Sequence, residues 1–366
     1  MSFAFDNIVF ALQRGGGISH YWYELLSRMQ RDRYKIKVIE HAGAELNIFR
    51  KKLYFDPSVL INERSLPLRA SQYLPYPTVG DRSLYISSYY RVPGGSGNIS
   101  VVTVYDFMYE RFRRGPARLV HSMQKRAAVR AASGIICISN NTKRDLLEFY
   151  PEVSEEKIRV IYLGISDSYR PLGQDCGRLL GSVLPELPYV LFVGGRHSYK
   201  NFRQAVETVA GLSDYCLISV GGGELNPNES ELLRKHLPTR HVHLTVVDNE
   251  RLNLLYNCAH ALLYPSSYEG FGLPVLEAMA AGCPVIAVNA SSIPEVCGDA
   301  GLLVDVISAE MFADKIIKLQ DPEFRNEMID KGYQQAKRFS WEKCYQETIA
   351  FYKKVMTENE LPILRG

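Results

Sequence analysis

The chain is predicted to be a two-domain α/β protein in which each domain is a parallel sheet covered on both faces by helices. Its 366 residues exceed one ordinary α/β domain and suit two, each able to bury its own core. Short apolar runs of strand length alternate with longer segments of helical period in both halves. Strands that are apolar throughout imply burial on both faces, and therefore a parallel sheet. The pattern also resets once, around Lys157–Pro171, which is the best domain boundary.

Taken in order, Asn7–Leu12 reads as the first strand, Gly15-Gly16-Gly17 as a sharp turn, and Ile18–Met29 as a helix with Ile18, Tyr21, Trp22 and Leu25 on one face. Further strands are expected at Ile36–Ile39, Leu84–Ser87, Ser100–Val104 and Gly134–Ser139. Leu66–Gly80, with Pro67, Pro75 and Pro77, and Pro93–Gly97 read as loops. A strand at Arg159–Tyr162 ends in Gly164, and a polar, Gly-rich passage precedes Tyr189. The second half repeats the theme with strands at Tyr189–Val193, Cys216–Val220, Val242–Leu244, Ala261–Tyr264 and Pro284–Ala287. Trp341–Met356 is an amphipathic helix with Trp341, Tyr345, Ile349 and Tyr352 at helical spacing. The expected domains are 1–166, with the terminal helix 341–366 packing back on it, and 167–340. Two such lobes with a cleft between them place ligands at the carboxyl ends of their strands.

Composition narrows the function. Hydrophobic residues at 46% and charged residues at 23% describe an ordinary globular chain. A net charge of +3 and the lack of any recognisable module argue against nucleic-acid binding. The basic residues are uneven: Arg111, Arg113, Arg114, Arg118, Lys125, Arg126 and Arg130 follow one another with no acidic residue among them. That run is either a solvated helix face or a contact for an anionic membrane surface. Seven scattered cysteines, without CxxC spacing, read as buried thiols in a reducing compartment and not as a zinc site. Met1–Leu12 lacks the basic start and cleavage site of a signal peptide, and no apolar run reaches the roughly 18–20 residues that span a bilayer. A cytoplasmic protein is expected.

The passage Pro265–Gly282, PSSYEGFGLPVLEAMAAG, carries the chemistry. It follows an apolar strand, turns through Gly270 and Gly272, and opens a helix whose first turn is read as starting at Pro274. Unpaired N–H groups at the positive end of such a helix suit a diphosphate. Glu269 before the turn and Glu277, read as lying in the first helical turn, face the same cavity and can accept hydrogen bonds from sugar or ribose hydroxyls. In a purely structural reading Glu277 only complements the helix dipole, worth about 0.3–1 kcal/mol, and Glu269 is a surface loop residue.

Glu269 and Glu277, seven residues apart within EGFGLPVLEA, resemble the E-x7-E signature of the retaining glycosyltransferases of family 4, which have the GT-B fold: two Rossmann-like lobes facing each other across a cleft. The resemblance runs through nearly the whole chain. Val193–Asn201 (VGGRHSYKN) is similar to the family's glycine, arginine and lysine loop, and Leu254–Pro265, Cys283–Ile286, Ile293–Val296 and Phe339–Trp341 also fit. By this resemblance Arg196 and Lys200 neutralise the donor diphosphate and Glu277 binds the ribose. Glu269, with Gly195 and the backbone of Phe271, Gly272 and Leu273, holds the donor sugar and phosphates. Gly16 and Gly17 belong to a loop similar to the one that closes on the phosphates.

The family often has a His-Asp pair after the strand that is Val101–Val104 here; in this chain it is Tyr105-Asp106, so that histidine is absent. Asp106 is a candidate contact for the reacting sugar or the acceptor, or simply an Asx turn. Ser139–Thr142 is similar to a family strand-to-helix turn and is equally explained as an N-cap. His20, His121 and His197 are either proton shuttles or plain structural histidines.

The implied reaction moves a sugar, with retention, from a UDP- or GDP-linked donor to a saccharide or lipid-linked saccharide, in bacterial surface polysaccharide synthesis. No cofactor or essential metal is expected, since fixed cations and backbone amides do the charge work. A sugar-nucleotide 2-epimerase shares the two-lobed fold and is distinguished by turning over the donor without an acceptor. A non-catalytic sugar-nucleotide-binding protein is supported only by Tyr105. Backbone and loops near Gly221–Glu224 and Leu244–Val247 are the candidates for recognising the base.

Overall fold

The computed structural model describes residues 2–63, 68–76, 83–94, 98–173 and 186–359. Leu66, Pro67, residues 77–80 and 95–97 of the expected loops, Cys176 and the tail beyond Asn359 lie outside the described residues. The chain forms two compact units, Met1–Gly164 with Trp341–Gly366, and Ile165–Ser340.

The first unit is built on a seven-stranded sheet: β1 (Phe3–Asp6), β2 (Ile36–His41), β3 (Leu60–Glu63), β4 (Leu84–Ser87), β5 (Ser100–Val104), β6 (Gly134–Cys137) and β7 (Ile158–Val160), in the order β3-β2-β1-β4-β5-β6-β7. Every pairing is parallel. The first strand corrects the expectation: Phe3–Asp6 is the strand, and Ile8–Leu12, read as strand, is helical. The apolar stretch from Phe3 to Leu12 carries no alternation to tell a buried strand from a buried helix. Asp6 and Asn7 break it, since Asp6 Oδ1 accepts the Ile8 N–H at 3.2 Å and Asn7 Oδ1 accepts the Trp22 indole N–H at 2.7 Å. Leu68–Ser71, within an expected loop, makes one helical turn, and the half-exposed edge strand β3 was not anticipated. The strand read at Arg159–Tyr162 is Ile158–Val160.

The terminal helix Trp341–Glu358 packs on this unit. Its Glu342 pairs with Arg28 and Arg31, and the Tyr345 hydroxyl donates to Asp32 at 2.7 Å. The helix approaches β6 closely because Gly134 has no side chain: a Cβ there would lie 2.7 Å from Val355 Cγ2 and 2.9 Å from Phe351 Cζ.

Two buried polar clusters hold the carboxyl ends of these strands. In one, Asp6, His41, Glu63 and Arg91 meet below Tyr85: Arg91 Nη1 and Nη2 reach Glu63 at 2.7 and 2.9 Å, and His41 Nε2 lies 2.8 Å from Asp6 Oδ1. The Tyr85 hydroxyl donates to Asp6 Oδ2 at 2.8 Å. In the other, buried Lys125 bonds Glu110 Oε2 at 2.8 Å and the Asp106 carbonyl at 2.7 Å, while His121 stacks on Tyr109 at 3.9 Å and its Nε2 lies 3.1 Å from the Tyr89 hydroxyl.

Burial, and then the Lys125 charge, push His121 down to about 4. A histidine whose folded value lies below its unfolded one destabilises the fold as it protonates. The contribution of neutral His121 is therefore complete above about pH 6.5 and lost as the pH falls toward 4, at a cost of about 3 kcal/mol. Urea unfolding at pH 7.5, 5.5 and 4.5 should show His121→Gln losing less stability on acidification than the wild type, and parallel losses would contradict this.

The second unit contains β8 (Tyr189–Val193), β9 (Cys216–Val220), β10 (His241–Leu244), β11 (Ala261–Tyr264), β12 (Val285–Val288) and β13 (Gly301–Val304), in the order β10-β9-β8-β11-β12-β13. All pairs are again parallel. Val190, Phe192, Val206, Leu217, Leu263 and Ile286 lie in its core, each at most 1% exposed. The strand read at Pro284–Ala287 is shifted by one residue, and β13, with only Val304 buried, was not anticipated. The strand order reverses between β8 and β11, and such a switch point leaves a crevice at the carboxyl ends of two neighbouring strands.

Candidate functional site

The loops leaving β8 and β11 meet at that switch point. After β8 the chain makes a short 3-10 turn, Ser198–Lys200, and Asn201 takes a left-handed conformation with φ 51° before the Phe202–Ala210 helix. Asn201 Nδ2 donates to the Pro265 carbonyl at 2.8 Å, and the Ser267 N–H donates to the Tyr199 carbonyl at 2.8 Å, so the two loops are stitched together. Lys200 Nζ reaches Glu269 Oε1 at 2.5 Å and the Tyr264 hydroxyl at 3.4 Å. Their side chains are only 13% and 12% exposed, so the pair is shielded without being closed off.

The Glu269 backbone is fixed by two serines. Ser291 Oγ accepts the Glu269 N–H at 3.0 Å and donates to the Glu269 carbonyl at 2.5 Å, and Ser292 Oγ lies 2.9 Å from the Phe271 carbonyl. Gly272, at φ 105°, then turns the chain into the Leu273–Ala281 helix. A Cβ on it would sit 3.0 Å from Ile293 Cδ1, so both backbone and packing require glycine there. Pro274, in the first turn, has no N–H and the Val275 N–H donates to the Gly272 carbonyl at 3.0 Å; no side chain caps the helix, which leaves the Leu273 amide to meet an anion.

Glu277 needs a correction. The helix begins at Leu273, so Glu277 opens its second turn, and the first turn holds no acidic residue. The reading as a helix-dipole partner thereby loses its basis, since that effect fades within the first turn. Its carboxylate instead accepts the Tyr256 hydroxyl at 3.1 Å, and its charge also acts on the Tyr169 phenol. Burial, and then the Glu277 charge, hold both phenols protonated far above their ordinary range. Tyr264 is raised likewise by burial, then by the Glu269 charge and more weakly by that of Glu277. Tyr169, Tyr256, Tyr264, Ser291 and Ser292 were missed in the sequence. The only available signal was that Tyr264 ends a strand pointing at the motif.

Arg196 is not in this cluster. Its guanidinium donates to the carbonyls of Gly221 at 2.6 Å, Gly222 at 3.2 Å, Gly223 at 3.1 Å and Glu224 at 2.8 Å, and Nε lies 2.9 Å from Glu229 Oε2. Gly195 lies against His197. The expectation that Arg196 stands beside Lys200 on the diphosphate is therefore not what the geometry shows. A polar cavity of about 500 Å³ borders it, lined by His197, Asn201 and Asn226 among others, on the side of the Phe202–Ala210 and Pro227–His236 helices.

The remaining candidates lie in the first unit. Gly16, at φ 147°, and Gly17 open the Gly17–Arg31 helix, again without a capping side chain. Asp106 is half-buried after β5 and its Oδ1 accepts the Met108 N–H at 3.0 Å, which is the Asx turn. Tyr105, where the family histidine would stand, is a core residue 5% exposed and packed edge-on to Tyr21. Ser139 is an N-cap, accepting the Thr142 N–H at 3.0 Å. His20 pairs with Glu24 and stacks on Phe49, whereas His197 is exposed beside Tyr199.

The basic run is partly neutralised by acidic residues from elsewhere. Arg111 pairs with Asp145 and Glu148, Lys125 with Glu110, and Arg126 and Arg130 with Glu152. Arg113, Arg114 and Arg118 stay exposed among Phe112 at 41%, Leu119 at 63%, Val120 at 45% and Met123 at 70% exposure. Among the described residues no helix is long and apolar enough to cross a membrane. Five of the six described cysteines are buried and none of the six is in a disulfide.

Two doubly wound units, the second with a lysine–carboxylate pair and an uncapped helix at its switch point, are the GT-B architecture of glycosyltransferases. The chain belongs to glycosyltransferase family 4: residues 15–169 match the model described as Glycosyltransferase Family 4, and residues 183–335 match that of Glycosyl transferases group 1. Among curated relatives, the O-antigen chain mannosyltransferase B of Escherichia coli is 47% identical over 112 residues, 30% of this chain and 29% of that protein. This chain thus spans under a third of that relative. Sucrose-phosphate synthase from Thermosynechococcus elongatus superposes with a TM-score of 0.76 at 20% identity, over 98% of this chain and 100% of that one. Anabaena Alr3699/HepE in complex with UDP-glucose does so with a TM-score of 0.73 at 17% identity, over 97% and 100%.

Proposed function

We propose that this protein transfers a sugar from a nucleotide diphosphate sugar to a saccharide or lipid-linked saccharide, with retention at the anomeric carbon, in the synthesis of a bacterial surface polysaccharide such as O-antigen. The observation that carries the reading is the Lys200–Glu269 pair set against the uncapped start of the Leu273–Ala281 helix. Departure of a nucleoside diphosphate puts charge on the β-phosphate, and in this reading the Lys200 ammonium and the Leu273 amide at the helix start stabilise it. Glu277, held by the Tyr256 hydroxyl, accepts the ribose hydroxyls, and Glu269 orients the donor sugar. Asp106 contacts the acceptor. No metal is required in this scheme. The UDP-glucose complex of a protein with the same fold and the O-antigen mannosyltransferase sequence support the donor class and the polysaccharide setting.

Titration with UDP, GDP, ADP and dTDP, followed by thermal unfolding, tests the donor site. One nucleotide at 100 times its dissociation constant should add about 2.7 kcal/mol of stability, and Glu277→Ala should abolish most of that shift. If none of the four shifts the wild type, the donor assignment fails. An epimerase would convert the donor with no acceptor present.

The reading includes a peripheral contact with the inner face of the membrane through 111–130. Exposed Phe112, Leu119, Val120 and Met123 among the exposed Arg113, Arg114 and Arg118 form an amphipathic surface suited to an anionic bilayer. Co-sedimentation with phosphatidylglycerol vesicles should fall at least tenfold in R113E/R114E/R118E, whereas equal binding to phosphatidylcholine vesicles would remove the electrostatic part.

A further inference from the structure

We propose that Arg196 is a positioning residue that acts on the donor through the Gly221–Glu224 loop, and is not a phosphate contact. The proposal rests on the donor-site reading above. A guanidinium carries five N–H donors; here Nη1 donates to the Gly221 carbonyl, Nη2 is shared among the Gly222, Gly223 and Glu224 carbonyls, and Nε lies 2.9 Å from Glu229 Oε2 as an ion pair without hydrogen-bond alignment. Turning successive carbonyls toward one point requires left-handed backbone, which Gly221, Gly222 and Gly223 supply at φ 91°, 77° and 73°. The fit leaves no spare room, since a Cβ on Gly222 would lie 2.7 Å from Arg196 Nη1.

The same arginine ties the loop to its surroundings. Glu229, its ion partner, also accepts the Asn226 N–H at 2.9 Å while Asn226 Oδ1 accepts the Glu229 N–H at 3.0 Å, a reciprocal cap on the Pro227–His236 helix. His243 Nε2 lies 2.9 Å from the Gly223 carbonyl on the other side. The loop leaves β9, which neighbours β8 on the side away from β11. Adjacent strands lie about 5 Å apart, so a diphosphate anchored at Lys200 brings the nucleoside within one or two strand widths of this loop. Moving Arg196 onto a phosphate would take this donor from the Gly221, Gly222 and Glu224 carbonyls and the cation from Glu229 at once.

The two roles differ in how the cost depends on phosphate number. Affinities of the nucleoside, its monophosphate and its diphosphate, for the base the wild type binds, are to be measured by NMR titration for the wild type, Arg196→Ala, Arg196→Lys, Glu229→Gln and Lys200→Ala. The loop role predicts that Arg196→Ala weakens all three ligands by a similar factor, about five- to twentyfold. It also predicts that Arg196→Lys behaves like the alanine variant, and that Glu229→Gln shows part of the same loss. Lys200→Ala should cost more with each added phosphate.

Hydrogen exchange of the Gly222–Glu224 amides should rise in Arg196→Ala while the strands stay protected, which separates loop loosening from unfolding. A loss confined to the phosphorylated ligands, or full affinity in Arg196→Lys, overturns the proposal and restores a phosphate contact. If the wild type binds none of these ligands, the donor-site reading falls, and this proposal with it. If the wild type binds and Arg196→Ala binds equally well, only the present proposal falls.

Discussion

Lys200→Ala is expected to lower kcat/KM for sugar transfer by about 10²–10³-fold, equivalent to roughly 2.7–4 kcal/mol of transition-state stabilisation. The lysine is the cation the geometry places at the switch point, since Arg196 is directed elsewhere. Its charge matters most when negative charge accumulates on the leaving diphosphate, so the loss should appear in kcat as well as in KM. The variant also leaves the Glu269 carboxylate with Tyr264 but without its cation, and a partly buried unpaired charge costs stability. Combining it with Glu269→Gln should therefore raise the melting temperature back toward the wild type while activity stays low. Steady-state kinetics and thermal unfolding of the single and double variants distinguish these effects. Retained activity in Lys200→Ala would sink the assigned role.

Arg91→Met is expected to destabilise the first unit by about 3–5 kcal/mol, the largest single effect on folding predicted here. Arg91 and Asp6 side chains are 1% and 0% exposed, and Glu63 is 8% exposed. Removing the guanidinium leaves two carboxylates facing one histidine in a site without water access. The substitution also removes the hydrogen bond to the Leu74 carbonyl and the stacking over Tyr76. Replacing both carboxylates as well, in Asp6→Asn/Glu63→Gln/Arg91→Met, should recover much of the loss, because an unpaired buried charge costs more than an absent network. Urea unfolding followed by fluorescence measures both, and an Arg91→Met midpoint equal to the wild type would contradict the account.

Much of this was legible in the chain. The strands at Leu84–Ser87, Ser100–Val104, Tyr189–Val193, Cys216–Val220 and Ala261–Tyr264 are short and wholly buried, so their length and the turn residues around them identify them. β3 and β13 were not visible because they are half-exposed and too short for a pattern. The EGFGLP turn announced a helix start through local chemistry, a left-handed glycine with proline two residues on, whereas the serines that hold the turn, Ser291 and Ser292, come from another loop.

What the sequence could not carry is the direction of long side chains and the source of their partners. Arg196 and Lys200 share one loop, yet the lysine turns to Glu269, 69 residues on, and the arginine to carbonyls 25–28 residues on. The run from Arg111 to Arg130 is uniformly basic as written, but Asp145, Glu148 and Glu152 neutralise three of its arginines once the neighbouring helices pack. Backbone conformation is set by neighbours within a few residues, so local order determines it. A charge is satisfied by whatever the fold brings within about 3 Å, and that depends on contacts between segments far apart in the chain.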